Sequence, residues 1–549
     1  MSLENIECHA KEEPEIWCDV PYERKEEFKH KVPMTKWSKR DEVWKVPLVY
    51  LPELHEMNHI NIDKSVGREY NKRHDSNRYS LNGSIDGLDA EPYPYQKVAI
   101  GEMLNKHRFL LSLDMGLGKT FCTVAVGLEF KNQGRLNGNG QILVVVPSAL
   151  KHSWADEIEK FTELDYTIID GKPEERKEQW NEDSDIKIMN YALLLHDDYP
   201  LDQEWGMVAL DEASFIKNAG SKRTKKAKLL EADKRYALSG TPVENDLTDL
   251  YNIMTFLDPY YFSNKKGFEA RYLQKQKRKY GNKEFEEIVG HKNIEELKDK
   301  VGHNMFRKTK QEVLDDLPPI TTKNIYVELQ GEQKKEYDRI VDDMDQRIKN
   351  EQSIGGHIQF LQMLTDSTEL LNESDTDHPL LQGVNLDIES PKTEELNNLA
   401  KKIEKNGDKA LVFTKYKTMA ESLGKKLDVD NIVLHGEHST KERQEGLDKF
   451  ENYDIPVLIA TDIFSYGANL QFANYVVHFD SLWNPAKMSQ RRDRIHRIGQ
   501  DDHVVEVNFV TQDTIEEEIQ KAKREKQELF DKTIEDIEDL SSDKIRELV

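Results

Sequence analysis

Short apolar runs separated by helix-length polar stretches recur twice along this chain of 549 residues. The first set is Phe109-Leu110-Leu111-Ser112-Leu113, Ile142-Leu143-Val144-Val145-Val146, Ile186-Lys187-Ile188-Met189, Met207-Val208-Ala209-Leu210 and Tyr236-Ala237-Leu238. Runs without polar alternation bury both faces of a strand, which is how parallel strands under crossover helices read. They predict an α/β lobe over residues 86–258. The pattern returns in Ala410-Leu411-Val412-Phe413, Val457-Leu458-Ile459-Ala460, Tyr475-Val476-Val477-His478-Phe479 and Val504-Val505-Glu506-Val507-Asn508-Phe509, predicting a second parallel-sheet lobe over 386–510. Between them, residues 259–385 lose the runs and read as a helical region with charged, solvated faces such as Lys275-Gln276-Lys277-Arg278-Lys279. Residues 1–85, rich in Trp, Pro, Lys and Glu, read as a small accessory module with strand-like pieces at Val43-Trp44-Lys45-Val46-Pro47. In 511–549 the spacing of Ile519, Ala522, Leu529 and Phe530 predicts a C-terminal helix packed by one apolar stripe.

No stretch approaches the roughly 18 consecutive apolar residues of a membrane span, and the first residues lack the basic-then-apolar plan of a signal peptide. The chain therefore reads as intracellular, from the cytoplasm of a bacterial or phage-infected cell or from a eukaryotic nucleus. Cys8, Cys18 and Cys122 are too few and too irregularly spaced for a disulfide framework or a zinc site. The formal charge of −25 speaks against a polyanion partner on average. That average includes 13 acids against 7 bases in residues 511–549, so it says little about local basic strips. His55-Glu56-Met57-Asn58-His59 fits the helical H-E-x-x-H zinc pattern. The preceding Pro52, the poor helix formers Asn58 and Asn61 and the lack of a third ligand favour incidental histidines.

The strand ending at Leu113 runs into Asp114-Met115-Gly116-Leu117-Gly118-Lys119-Thr120 and then an apolar helix. Strand, glycine loop and helix N-terminus together form a phosphate cradle, in which Lys119 would meet the β- and γ-phosphates and Thr120 would ligate Mg²⁺. Leu113 stands where the strict motif has its first glycine. The apolar strand over 207–210 then runs into Asp211-Glu212-Ala213-Ser214, where Asp211 can hold Mg²⁺ and Glu212 can polarise the attacking water. Leu238-Ser239-Gly240-Thr241-Pro242-Val243-Glu244-Asn245 follows another strand with small hydroxyl residues suited to sensing the phosphate state. In the second lobe Arg494 and Arg497, three apart on one side of a helical turn, fit the arginine-finger role.

These segments together resemble the SWI/SNF-type branch of superfamily-two helicases. The residues that carry the likeness are motif I at 114–120, motif Ia at Val146-Pro147-Ser148 with Trp154, motif II at 211–214 and motif III at 238–245. Motif IV is Val412-Phe413-Thr414-Lys415-Tyr416, motif V is 461–470 and motif VI is 490–500, ending His496-Arg497-Ile498-Gly499-Gln500. Trp483-Asn484-Pro485 and Phe306-Arg307-Lys308-Thr309-Lys310 are further marks of the branch. The chain departs from the family at Ser214, where motif II usually ends in His, and at Arg491-Arg492, where smaller or apolar residues are common. The accessory module has a fainter likeness to that of annealing helicases of the HepA-related (HARP) type, with tryptophans among lysines suited either to stacking on bases or to forming the core of a small β-module.

The resemblance implies two RecA-like lobes with helical insertions between them, and an ATP hydrolase that translocates on duplex DNA. It implies ATP and Mg²⁺ as cofactors, with Gln96, residues 114–120, Gly467 and Asn469 around the nucleotide. Lys119, Asp211, Glu212, Arg494 and Arg497 would be catalytic, with Thr120 and Asp211 as metal ligands. Ser148, Lys151, Thr414, Lys415 and Thr461 would touch DNA backbone, with Lys222, Arg223, Lys225 and Lys226 as a further basic strip. Duplex or branched DNA is the expected partner, with DNA-repair or replication proteins as candidates, no membrane, and a monomeric chain. The alternatives are a strand-separating helicase and a nonhydrolysing, nucleotide-gated DNA-binding protein.

Overall fold

The computed structural model describes residues 6–10, 15–32, 34–73, 79–244, 246–262, 264–280, 283–313, 320–349, 356–373, 390–462, 470–496, 500 and 502–534. Gly467, Asn469, Arg497 and Asn245 lie outside them. The chain divides into two compact units, Met1–Arg278 with Glu286–Val313 in one and Leu314–Leu529 in the other. Among the described residues no helix is long and apolar enough to cross a membrane.

In the first unit the predicted runs form one seven-stranded parallel sheet, in the order Met305–Lys308, Arg108–Leu113, Glu231–Leu238, Glu204–Leu210, Ile142–Val146, Ile186–Asn190 and Tyr166–Ile168. Every residue of Ile142–Val146 is buried, as helices on both faces require. In the second unit a six-stranded parallel sheet runs Ile320–Val327, Val504–Thr511, Tyr475–His478, Ala410–Thr414, Val457–Thr461 and Asn431–Leu434.

The helical reading of residues 259–385 holds for Lys265–Tyr272, Ile294–Gly302, Gly331–Lys349 and His357–Asp366, but the region also carries strands. Leu273–Tyr280 and Lys283–His291 form a two-stranded sheet, Met305–Lys308 closes the first lobe's sheet and Ile320–Val327 closes the second's. Leu273–Tyr280, Lys283–His291 and Ile320–Val327 lie outside the main sheets or at an edge and keep polar side chains, whereas Met305–Lys308, also an edge strand, is buried over its first three residues. Lys275, for example, pairs with Glu269 at 2.8 Å and Glu286 at 3.2 Å instead of packing in a core.

The N-terminal module is a five-stranded mixed sheet in the order Lys36–Ser38, Val43–Pro47, Glu15–Asp19, Ile6–Ala10 and Ile60–Ile62. Its tryptophans are largely core-forming: Trp44 is buried edge-on against Phe28 at 6.1 Å, and Trp37 leans on it at 5.4 Å while remaining 43% exposed. The module shares its hydrophobic core with the first lobe. Lys300 completes the join, donating to Val49 O at 3.3 Å, pairing with Glu53 and lying 4.2 Å from the Tyr50 ring centre. The zinc-like pattern is not realised as a helix, because Leu51–His55 ends at its first histidine and His59 has φ 53°.

Glu506 ties three strands of the second sheet. His478 Nε2 donates to it at 3.1 Å and Thr322 Oγ1 at 3.0 Å, with Arg492 at 3.8 Å. Burial alone would raise its pKa, but these partners outweigh burial and depress it from the ordinary 4.5 to about 2. A depressed carboxylate stabilises the fold above its unfolded pKa and loses that contribution as pH falls through the folded one. Burial keeps His478 largely neutral at pH 7, which reduces the attraction. Acid titration of wild type against Glu506→Gln is therefore expected to show a loss of about 2 kcal/mol, specific to wild type, as pH falls below ordinary glutamate values. Identical acid profiles would refute it.

Candidate nucleotide site

The C-terminal ends of three adjacent parallel strands, Arg108–Leu113, Glu231–Leu238 and Glu204–Leu210, bring the first lobe's motifs together. Chain tips at this end of a parallel sheet form the usual ligand crevice. After Leu113 the backbone turns through Gly116 at φ 83° and Gly118 at φ 81°, and Lys119–Asn132 begins its helix. The left-handed backbone at Gly118 favours glycine, and a β-carbon there would fall 2.5 Å from Gln96 Nε2 and displace that amide. Gln96 donates through Nε2 to Leu117 O at 3.1 Å and accepts from Tyr93 N at 3.0 Å, while Tyr95 Oη donates to Leu117 O at 3.2 Å. Gln96 thus braces the loop backbone, beside a stacked Tyr93–Tyr95 pair with centroids 6.0 Å apart.

Lys119 is buried, and its Nζ donates to Leu113 O at 2.9 Å and Asp114 O at 3.4 Å, which holds the ammonium inside the curve of the loop. Thr120, Met115 and Gly116 are half-buried, and Leu117 is buried. The Asp114 carboxylate is engaged within the protein: Arg307 pairs with Oδ1 at 2.8 Å and Lys310 N donates to Oδ2 at 3.0 Å. Arg307 also donates to Ser112 O at 3.1 Å and Gly240 O at 3.3 Å, so the edge strand locks the loops of motifs I and III.

Asp211 and Glu212 are both buried at the end of their strand. Trp154 Nε1 donates to Asp211 Oδ2 at 2.8 Å, the Glu212 amide donates to Oδ1 at 2.9 Å, and Tyr191 Oη donates to Asp211 O at 2.7 Å. Burial raises the Asp211 pKa, against the pull of the Trp154 indole, the Lys119 ammonium and the Glu212 amide. A carboxylate under that net pressure gains from a nearby cation. Asp211 and the Thr120 hydroxyl are hard oxygen donors of the kind Mg²⁺ accepts. Glu212 is left-handed at φ 48°, a conformation costing roughly 1–2 kcal/mol for a residue with a β-carbon.

Trp154 and Arg307 carry family motifs in the sequence, yet only the fold shows what they hold. A Trp on a polar helix was the one available signal for the first. In Trp154→Phe the ring bulk stays and the donor to Asp211 goes, so the Mg²⁺ concentration for half-maximal turnover is expected to rise about tenfold. A metal titration of ATPase rate checks this, and an unchanged midpoint would reject the role.

Of the expected DNA contacts in this lobe, Ser148 is exposed, whereas Lys151 is buried and paired with Asp170 at 2.5 Å. The short helix Lys222–Ala227 exposes Lys222 and Lys225, while Arg223 lies over the Phe215 ring at 5.4 Å and Lys226 pairs with Asp198 at 3.4 Å. In the second unit Thr414 is buried, donating to Asp480 Oδ2 at 2.8 Å, and Thr461 is buried as well. Lys415 is exposed, 5.0 Å from the Tyr416 ring centre, with its amide on Asp480. Arg494 is buried, and its carbonyl accepts from Leu470 N at 3.2 Å.

A glycine loop closed by a buried lysine, with a buried acidic pair two strands away, defines a nucleotide-binding protein of the P-loop kind. Residues 34–376 match the SNF2-related domain and residues 391–499 the helicase conserved C-terminal domain, and the chain belongs to the SNF2-related family. It is 30% identical to YwqA of Bacillus subtilis over 83% of this chain and 50% of that protein. It is 26% identical to the chromatin-remodeling complex ATPase ISW1 of Saccharomyces cerevisiae, over 78% of this chain and 39% of ISW1. With the ATP-dependent helicase FUN30 of the same yeast it shares 29% identity over 77% of this chain and 44% of FUN30. The chain thus spans half or less of the length of these relatives. Among solved structures, the Sulfolobus solfataricus SWI2/SNF2 ATPase core in complex with dsDNA is similar at 29% identity, with 82% of this chain and 94% of that chain covered and a TM-score of 0.41.

Proposed function

We propose that the chain is a DNA-dependent ATPase that translocates on duplex DNA and remodels DNA or protein–DNA complexes. The observation that carries this reading is the buried Asp211–Glu212 pair under the field of Lys119, at the mouth of the glycine loop. Lys119 and the loop amides bind the β- and γ-phosphates, and Glu212 accepts the proton of the attacking water. Asp211 and Thr120 hold Mg²⁺, which shields the phosphate charge when bound. Arg494 and Arg497 neutralise charge on the γ-phosphate. Similarity to the chromatin-remodeling complex ATPase ISW1 and the ATP-dependent helicase FUN30 supports the reading as an ATPase.

DNA is held through backbone contacts from Ser148, Lys415, Lys222 and Lys225. Residues 217–230 contain six bases and no acid, and of these Lys222 and Lys225 form an exposed strip within a chain of net charge −25. Binding that rests on such strips is strongly salt-sensitive and indifferent to sequence. The test is ATP turnover with no DNA and with single-stranded, duplex, forked and protein-coated DNA. Duplex is expected to stimulate most. Hydrolysis unmoved by any DNA at saturating Mg-ATP would reject the reading.

A further inference from the structure

Arg491 is 0% exposed. It sits on the helix Pro485–Arg492 that leads into motif VI. Its Nε and Nη2 both donate to Asp462 Oδ1, at 2.8 and 2.5 Å, and its Nη1 reaches Asp480 Oδ1 at 3.4 Å. Its guanidinium lies 5.1 Å from the Phe413 ring centre. Asp462 follows the motif V strand Val457–Thr461. The other oxygen of Asp480 takes the Thr414 hydroxyl at 2.8 Å and the Lys415 amide, both in motif IV. One enclosed guanidinium therefore joins the motif VI helix to the ends of motifs IV and V, on three neighbouring strands. Leu470 N to Arg494 O at 3.2 Å adds a backbone link between motifs V and VI.

We infer that Arg491 is a positioning residue that makes motifs IV, V and VI move as one body, so that DNA contact at Lys415 is transmitted to Arg494. The inference rests on the function proposed above. Full burial excludes Arg491 itself as a DNA contact. A planar fork with several fixed donors suits the task better than an ammonium, because it fixes orientation as well as charge. Without it, Asp462 and Asp480 would lose the one guanidinium that both carboxylates share, and Asp462 would keep Lys487 at 3.8 Å.

The experiment compares the full-length wild type with Arg491→Met, Arg491→Lys and Asp462→Asn in two measurements. In ATPase assays, turnover without DNA should stay near wild type in each variant. Turnover with saturating duplex should fall about tenfold in Arg491→Met, within the usual range for coupling between sites. Asp462→Asn should fall in the same direction, Arg491→Lys should recover part of the loss, and DNA affinity by fluorescence anisotropy should be unchanged. Retained stimulation in both Arg491→Met and Asp462→Asn, or an equal drop of both rates, overturns the inference. Should Arg491→Met fail to fold, Asp462→Asn decides alone, because that carboxylate is 29% exposed and its neutralisation leaves Arg491 paired with Asp480. In hydrogen exchange, protection of the Lys415 amide and of residues 492–496 should fall together in the variants while the sheet core holds. Unchanged exchange also overturns the inference. A wild type without DNA stimulation rejects the proposed function instead, and the exchange result then still decides whether the three motifs are joined.

Discussion

Glu212→Gln is expected to lower ATP turnover by about a thousandfold while leaving nucleotide affinity close to wild type, the loss being that of a positioned general base. The side chain is 3% exposed and its backbone is held left-handed, with its amide on Asp211 Oδ1 at 2.9 Å. Glutamine has the same shape and keeps that backbone bond, so the loop, Lys119 and Asp211 stay in place. Only the capacity to accept a proton from water is removed. Binding of a fluorescent ATP analogue, measured beside steady-state hydrolysis, separates the two effects. A variant that still turns over ATP near the wild-type rate would remove Glu212 from the chemistry, and a variant that no longer binds would show a structural role.

Lys392→Met is expected to destabilise the second unit by about 3–5 kcal/mol, the cost of leaving buried charges without their partner. Lys392 is 0% exposed and bonds Asp366 and Glu516, each at 2.8 Å, and Phe479 O at 3.2 Å. Those contacts join the helices His357–Asp366, Pro391–Asn406 and Ile515–Ile534 at one point. Burial opposes the ammonium, but the two carboxylates outweigh it and hold the Lys392 pKa above the ordinary lysine value. Its contribution is therefore complete at neutral pH and is lost only as pH rises through that elevated pKa. Urea unfolding followed by far-ultraviolet circular dichroism should show the loss. The triple change Lys392→Met, Asp366→Asn and Glu516→Gln should recover much of it, because no uncompensated charge then remains buried. A midpoint unmoved by Lys392→Met would show that the carboxylates accept protons without penalty.

Several features of this protein were legible in one dimension because their physical cause is local. Runs such as Ile142–Val146 announce parallel strands, since burial on both faces leaves no room for polar alternation. The glycines of motif I announce a phosphate loop, since positive φ disfavours a residue with a β-carbon. The acidic pair is visible as charge at the end of an apolar strand. The strands within 259–385 were hidden because edge and hairpin strands carry polar side chains in no periodic pattern. The partners of the site residues were hidden for another reason. Trp154 meets Asp211 across 57 positions, Arg307 meets Ser112 across 195, and Arg491 meets Asp462 across 29. Lys151 reads as an available cation, and it is neutralised by a carboxylate brought to it from elsewhere in the chain. The sequence by itself determined which elements form and which chemical groups stand at the strand ends, because backbone sterics and burial act over a few residues. Only the tertiary structure decided which charges are free to meet a ligand and which hold the motifs together, because that depends on contacts made after the sheets close.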